Sequence, residues 1–125
     1  NIIVEYLTTR TQFGRLIGSY QALKHPTADI LMQMDSSRSL VYHAATLVNN
    51  ANLSEDAEVA CRMAKAQASE ALLFAGDRAV QFHGGMGFTY ECNAQLFIRR
   101  AQMSQHLFGD AQHHRFHLAS LLLDS

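Results

Sequence analysis

Four groups of residues have side-chain types and spacings that can do chemistry. The first is Arg10-Thr11-Gln12-Phe13-Gly14. An arginine beside a glycine-containing loop can hold a phosphate through paired, charge-assisted hydrogen bonds. The alternative is a surface arginine at a helix end. The second is Gln81, followed by Gly84, Gly85 and Gly87. Glycines admit a close backbone approach or a positive φ. A glutamine one turn earlier can then read the polar edge of a flat or extended ligand. The same glycines can also be no more than a helix stop. The third group is Phe108-Gly109-Asp110-Ala111-Gln112. A glycine turn before a helix start offers free N–H groups to anions or hydroxyls. It can also be a plain turn with an aspartate cap. The fourth is His113, His114 and His117. His113 and His117 have the i, i+4 spacing of a zinc pair. No acidic group stands between them as in a zinc-protease helix, so we read these histidines as solvated or core-satisfied and assign no metal. The sequence contains no Ser-His-Asp order, P-loop or Cys-x-x-Cys.

The elements that must position these groups read as helices. One Pro and seven Gly in 125 residues, with many Ala, Leu and Gln, predict an all-α chain. Residues 1–9 fit the end of a helix, with Ile2, Ile3, Tyr6 and Leu7 on one face. Residues 11–19 read as a connecting loop. Ser19 suits an N-cap for a helix from Tyr20 to about Asn50, with Leu23, Ile30, Met34, Val41 and Leu47 at helical spacings. Pro26 either kinks that helix near residues 20–25 or stands in its first turn. Asn49, Asn50 and Asn52 form a turn. Ser54 caps a helix over residues 55–83, with Glu55 and Asp56 at the positive end of its dipole. Ala57, Ala60, Ala64, Ala68, Ala71 and Ala75 give it a small face that lets another helix come close. Leu72, Leu73, Phe74 and Val80 add bulk toward its end. A fourth helix spans Glu91 to about His106, and Leu107-Phe108-Gly109 breaks it. Asp110 caps a last helix over residues 111–123, with Leu118, Leu121 and Leu122 on its buried side. Four main helices with short connections predict an antiparallel up-and-down four-helix bundle.

Composition narrows the function classes. Hydrophobic residues make up 48% of the chain, enough for a core, and the length suits one domain. A net charge of −1 carries no bulk field toward nucleic acid or an anionic membrane. No apolar run reaches the roughly 20 residues of a membrane span. Cys61 and Cys92 do not make a secretory framework, and both are expected to be reduced, in a bacterial cytoplasm or a mitochondrial matrix. No signal peptide is expected. Asn1 leads straight into Ile2-Ile3-Val4, so the chain is expected to be a piece of a longer protein.

Together these residues resemble the C-terminal helical domain of the acyl-CoA dehydrogenases, which are flavoproteins. The resemblance rests on Tyr6-x-x-x-Arg10-x-Gln12-Phe13-Gly14, then Gln21-Ala22, His25 and Ala28-Asp29. Ala64-Lys65-Ala66 and Glu70 follow, then Gln81-x-x-Gly84-Gly85-x-Gly87-Phe88, Arg99 and Gly109-x-x-Gln112-x-x-Arg115. The motifs are collinear over nearly the whole chain. The resemblance implies an FAD-dependent α,β-dehydrogenation of an acyl-CoA thioester to a trans-2-enoyl-CoA, with a carboxylate as the base. It implies an N-terminal helical domain and a middle β domain ahead of this one. The electrons would leave to an electron-transfer flavoprotein, or to oxygen as in the oxidases that share the domain. Arg10 would meet the FAD pyrophosphate, and Gln12 and Phe13 would line the adjacent surface. Gln81, Gly84 and Gly85 would touch the adenosine and pyrophosphate half, and Gln112 would sit toward the other end. The Arg10-type and Gln81-type residues of the family reach FAD bound mainly by a neighbouring subunit. A homodimer or tetramer, or a heteromer, is therefore implied.

The sequence departs from the pattern at one place. In the medium- and short-chain branch the catalytic glutamate stands just before the glycine matched by Gly109. Here that residue is Phe108, which cannot take a proton. Three accounts stay open. The base stands upstream, as in the isovaleryl- and long-chain-type branch. Alternatively, the chain is a non-catalytic partner or assembly module of a heteromeric enzyme. Finally, Asp110 serves as the base, although an aspartate at a helix start already has a capping role.

Overall fold

The computed structural model describes residues 2–12, 15–16, 21–48, 54–83 and 94–123. Among the described residues five helices carry the fold: α1 (Ile2–Thr9), α2 (Gln21–Val48), α3 (Glu55–His83), α4 (Ala94–His106) and α5 (Ala111–Leu123). The bundle predicted from the sequence is α2 to α5, with short α1 laid against it. A two-residue pair of strands, β1 (Thr11–Gln12) and β2 (Arg15–Leu16), follows α1 and pairs antiparallel, Thr11 with Leu16 and Gln12 with Arg15. This corrects the reading of residues 11–19 as plain loop. Backbone groups leaving a helix must find partners, and here they find one another.

The long helix α3 is the axis of the fold, touching α1, α2, α4 and α5. Its start is set by Ser54. The Ser54 hydroxyl accepts from the Ala57 N–H at 3.2 Å, and its carbonyl accepts from the Glu58 N–H at 3.1 Å. Those two bonds satisfy donors that a helix start leaves open. Glu55, Asp56 and Glu58 then fill the first turn. The small face holds as expected at its beginning. Ala60 and Ala64 are buried against Ala44, with Leu40 and Leu47 of α2 closing over them. At the other end Ala79 and Val80 are buried with Ile3 and Leu7 of α1, and Leu23 and Ile30 of α2 pack on the same cluster. Early α2 thus meets late α3, and late α2 meets early α3, so the pair is antiparallel.

On its other side α3 meets α4 at Gly76. A methyl group there would sit 3.1 Å from the Ile98 Cα and 3.2 Å from its Cβ, so this glycine sets the closeness of the crossing. Lys65 of α3 reaches the end of α4, while Gly76 meets its early turns, so this pair is antiparallel too.

α2 runs unbroken through Pro26, which therefore does not stand in its first turn. The proline removes the N–H that would bond the Ala22 carbonyl. Beside it, the Thr27 hydroxyl donates to the Leu23 carbonyl at 2.7 Å. Tyr20, Ser19 as its cap, and the asparagine turn lie outside the described residues. So do the first residues expected of α4, from Glu91. Leu118 of α5 is buried and Leu121 half-buried as expected, but Leu122 is 58% exposed. It lies in the last turn of α5, turned to the edge of the inward stripe that His114, Leu118 and Leu121 make. None of the described helices is long and apolar enough to cross a membrane.

Candidate functional site

The expected site residues fall at two ends of the bundle. Arg10 follows the last turn of α1, its N–H donating to the Tyr6 carbonyl at 3.1 Å. Its guanidinium is exposed, lies 5.6 Å from the centre of the Tyr6 ring, and donates to the Tyr6 hydroxyl. Among the described residues no carboxylate pairs with it. Gln81 is exposed on the last turn of α3. Its Oε1 accepts from Arg78 Nη1 at 2.9 Å, and its Nε2 donates to Asp77 Oδ2 at 3.1 Å. The amide is thus oriented by residues three and four positions earlier, a helical spacing the sequence displays. Arg78 in turn lies 5.3 Å over the Phe74 ring. Because α1 packs on Ala79 and Val80, Arg10 and Gln81 share one end of the bundle. Gln12 follows, with its backbone paired to Arg15. Phe13, Gly84 and Gly85 lie outside the described residues.

Gln112 lies at the opposite end, exposed in the first turn of α5. The α4–α5 turn beside it is tied to α3 at Arg62 and Lys65. From Lys65 to Gln81 is about 24 Å along α3, at 1.5 Å per residue. One chain therefore presents its candidate cofactor residues in two separated groups.

The α4–α5 turn is tied to α3 and α5 by several side chains. Phe108 takes φ 60° and Gly109 φ 92°. A left-handed residue after a helix is an ordinary way to end it, but the position usually takes glycine. A bulky residue there costs about 1–2 kcal/mol. The Phe108 ring gains no burial in exchange, being 90% exposed. The turn is held instead by side chains from α3 and α5. Lys65 Nζ donates to the Ser104 carbonyl at 3.3 Å and the Gln105 carbonyl at 3.2 Å, closing the open end of α4. It also donates to Ser69 Oγ at 2.7 Å. Burial makes this ammonium easier to deprotonate than a free lysine, and the nearby Asp110 carboxylate opposes that. Asp110 caps α5 as expected: its Oδ1 accepts from the His113 N–H at 2.8 Å.

His114 is buried, and its tautomer follows from its partners. Nε2 lies 2.8 Å from the Phe108 carbonyl, which can only accept, so Nε2 carries the proton. Nδ1 lies 3.2 Å from Nη1 of Arg62, which can only donate, so Nδ1 is bare. Arg62 is anchored by Glu58, Nη2 to Oε1 at 2.9 Å. Burial holds the His114 ring below the usual histidine range. The Phe108 hydrogen bond works against that, and Arg62, His113 and Lys65 add to it. The unfolded chain therefore takes up this proton at a higher pH than the folded one. Stability is present above the ordinary value of 6.5 and falls as pH drops below it. We expect part of the loss of stability between pH 7 and pH 5 to vanish in His114→Gln, measured by urea unfolding across that range. Equal slopes in both proteins would contradict this.

Glu58, Cys61, Arg62, Lys65, Phe108, His113 and His114 surround a polar cavity of about 460 Å³ beside the turn. Further along, Arg115 of α5 forms a two-pronged ion pair with Glu70 of α3, Nη2 to Oε2 at 2.6 Å. The bonds from Arg115 hold the Glu70 carboxyl below the usual range. Both side chains are about half exposed, so the pair contributes at most about 1 kcal/mol. An apolar groove of about 470 Å³ runs between α1 and α2, with Ile3, Leu7, Ile30, Leu31 and Met34 on its walls. Cys61 is free and exposed; Cys92 lies outside the described residues. The rings of His113 and His117 stack edge to face at 4.6 Å. Among the described residues no group of three or more His, Cys, Asp or Glu is placed to hold a metal.

Lys65, Glu70 and Arg115 stood within the motifs read from the sequence but had no assigned role. Arg62 was not singled out. Their partners lie 39 to 52 residues away, where spacing gives no signal.

Comparisons with known proteins come down on one family. A family model described as "Acyl-CoA dehydrogenase, C-terminal domain" matches residues 1–123. Acyl-CoA dehydrogenase IpdE2 of Mycolicibacterium smegmatis is 38% identical over 109 residues, which are 87% of this chain and 32% of that protein. A solved chain from a study of the electron transferring flavoprotein of Acidaminococcus fermentans superposes with a TM-score of 0.89 at 37% identity, covering 99% of this chain and 32% of that one. A solved FAD-dependent dehydrogenase gives a TM-score of 0.88 at 28% identity, over 96% of this chain and 32% of its own. The chain thus spans about a third of the length of the relatives it matches.

Proposed function

The chain belongs to the acyl-CoA dehydrogenase family, and from that premise we propose that it is the FAD-binding, oligomer-forming C-terminal domain of an acyl-CoA dehydrogenase. The full-length protein would convert a saturated acyl-CoA thioester to the trans-2-enoyl-CoA. The observation that supports this reading is that Arg10 and Gln81 stand at one end of the bundle. An exposed guanidinium without a carboxylate partner among the described residues shares one bundle end with an exposed, oriented amide. That donor set fits a dinucleotide: a cation for the pyrophosphate and an amide for a hydroxyl or base edge. The roughly 24 Å along α3 between Gln81 and Lys65, which ties the turn beside Gln112, fits an extended molecule shared between protomers better than a pocket within one chain.

In this account Arg10 binds the pyrophosphate, while Gln12 and Phe13 line the surface next to it. Gln81, Gly84 and Gly85 contact the adenosine half, and Gln112 contacts the far end of a cofactor shared with a second protomer. FAD, when bound, supplies the two-electron acceptor for the β-hydride. Proton removal from the α-carbon needs a carboxylate. Phe108 has none, and the Asp110 carboxylate is engaged as a helix cap. In this reading the base would stand upstream, on the first helix of this domain. Electrons would pass on to an electron-transfer flavoprotein.

The test is to incubate the full-length protein with butyryl-CoA and a dye acceptor. The expected result is bleaching of a bound flavin and appearance of the trans-2-enoyl thioester. A protein without flavin and without product would overturn the reading. Phe108 favours a second one, in which the chain is a non-catalytic partner of a heteromeric dehydrogenase. In that case product forms only when a second dehydrogenase subunit is added.

A further inference from the structure

On the last turns of α3 the Gln81 amide stands between two charged groups. Arg78 Nη1 donates to its Oε1 at 2.9 Å, and its Nε2 donates to Asp77 Oδ2 at 3.1 Å. A guanidinium only donates and an ionised carboxylate only accepts, so the amide has one orientation in which both bonds form. Turned over, it would set its NH2 against the guanidinium and its oxygen against the carboxylate. The guanidinium is itself held in place. It lies 5.3 Å over the Phe74 ring, and its Nε is shut off from solvent with no acceptor among the described residues. Arg78 is half-buried, while Asp77 and Gln81 are exposed. Bonds between exposed neighbours on one helix contribute little to stability. What these two fix is a direction. Each takes one of the two sites at its end of the amide, leaving one N–H on Nε2 and one lone pair on Oε1. That donor and that acceptor face outward in a set order, at the bundle end that also carries Arg10.

We propose that Arg78 and Asp77 are positioning residues that set the polarity of the Gln81 amide before the cofactor arrives. This rests on the function proposed above, in which Gln81 contacts the adenosine half of FAD, and adds what decides which end of the amide the ligand meets. A free glutamine on a helix surface samples several rotamers and both amide orientations. A ligand that needs one of them loses affinity by ordering it. Here the ordering is done by the residues three and four positions earlier. Neither has to touch the cofactor, and both act only through Gln81. Lysine at position 78 keeps a donor for Oε1, whereas methionine covers Phe74 and donates nothing.

The experiment uses the full-length holoprotein and reads the Kd for FAD from the fluorescence of flavin released on dilution. The variants are Arg78→Met, Arg78→Lys and Asp77→Ala, each made with Gln81 in place and again with Gln81→Ala. With Gln81 in place, Arg78→Met and Asp77→Ala are each expected to weaken FAD about three- to ten-fold. Arg78→Lys should restore most of the loss. With Gln81→Ala, none of the three is expected to change the Kd further, because the group they act through is gone. A residue that served only the fold would show the same loss in both backgrounds, and that result overturns the positioning role. So does a parent-like Kd in both Arg78→Met and Asp77→Ala. Should Arg78→Met not fold, the exposed Asp77→Ala is read in the same way. A parent protein that binds no FAD, or a Gln81→Ala variant that binds it as tightly as the parent, overturns instead the placing of Gln81 at the flavin, on which this inference rests.

Discussion

Gly109→Ala is expected to destabilise the protein by about 3 kcal/mol, the largest loss from adding a single methyl group to this turn. Two costs add. The first is conformational: φ is 92° at Gly109, a region that side chains other than hydrogen rarely enter. The second is steric. A Cβ would stand 2.5 Å from Cδ2 of His113 and 3.1 Å from Nε2 of His114. His113 is exposed and can swing aside. His114 is buried and holds the Phe108 carbonyl, so it cannot move without breaking the brace. Overpacking of this kind costs about 1–3 kcal/mol, on top of about 1–2 kcal/mol of backbone strain. Urea unfolding of parent and variant checks it, and a loss below about 1 kcal/mol would show that the turn relaxes freely.

Arg10→Ala in the full-length protein is expected to reduce FAD retention by about ten- to a hundred-fold. A hydrogen bond to a charged group contributes about 1.5–3 kcal/mol, and each 1.4 kcal/mol is a factor of ten in affinity. The arginine has little structural work that would confuse the result. It is exposed, and among the described residues its side-chain contacts are with Tyr6 in the last turns of α1. The measurement is flavin released per protomer after dialysis, with unfolding followed in parallel. Unchanged flavin content would remove Arg10 from the site.

The helices were legible because their signals are local. Ser54 and Asp110 cap their own helices through bonds three residues away, and such pairs show in any reading of the chain. The alanines of α3 declared a close helix contact, and Ala60 and Ala64 are buried against α2. The ladder of Thr11–Gln12 with Arg15–Leu16 was missed because two-residue strands have no periodicity to detect. Leu122 was misplaced because the edge of an apolar stripe and its centre look alike by spacing alone.

The candidate site was legible in part. Arg10, Gln81 and Gln112 are all exposed, as binding residues must be, but their two-ended arrangement depends on how α1, α3 and α5 pack. The brace on Phe108 could not be read at all. Arg62 and His114 are 52 residues apart, and nothing in either neighbourhood announces the other. His114 was expected to be satisfied in the core or solvated. It is buried and satisfied, and its partner is the strained carbonyl of the turn.

At the centre stands the claim that these helices contribute to a flavin site completed between protomers. The visible absorbance spectrum of the purified full-length protein, with flavin quantified against protomer after denaturation, tests it most directly. The account predicts a yellow protein whose flavin is FAD, in fixed ratio to the assembled protomers. A colourless protein that stays colourless after incubation with FAD would contradict it.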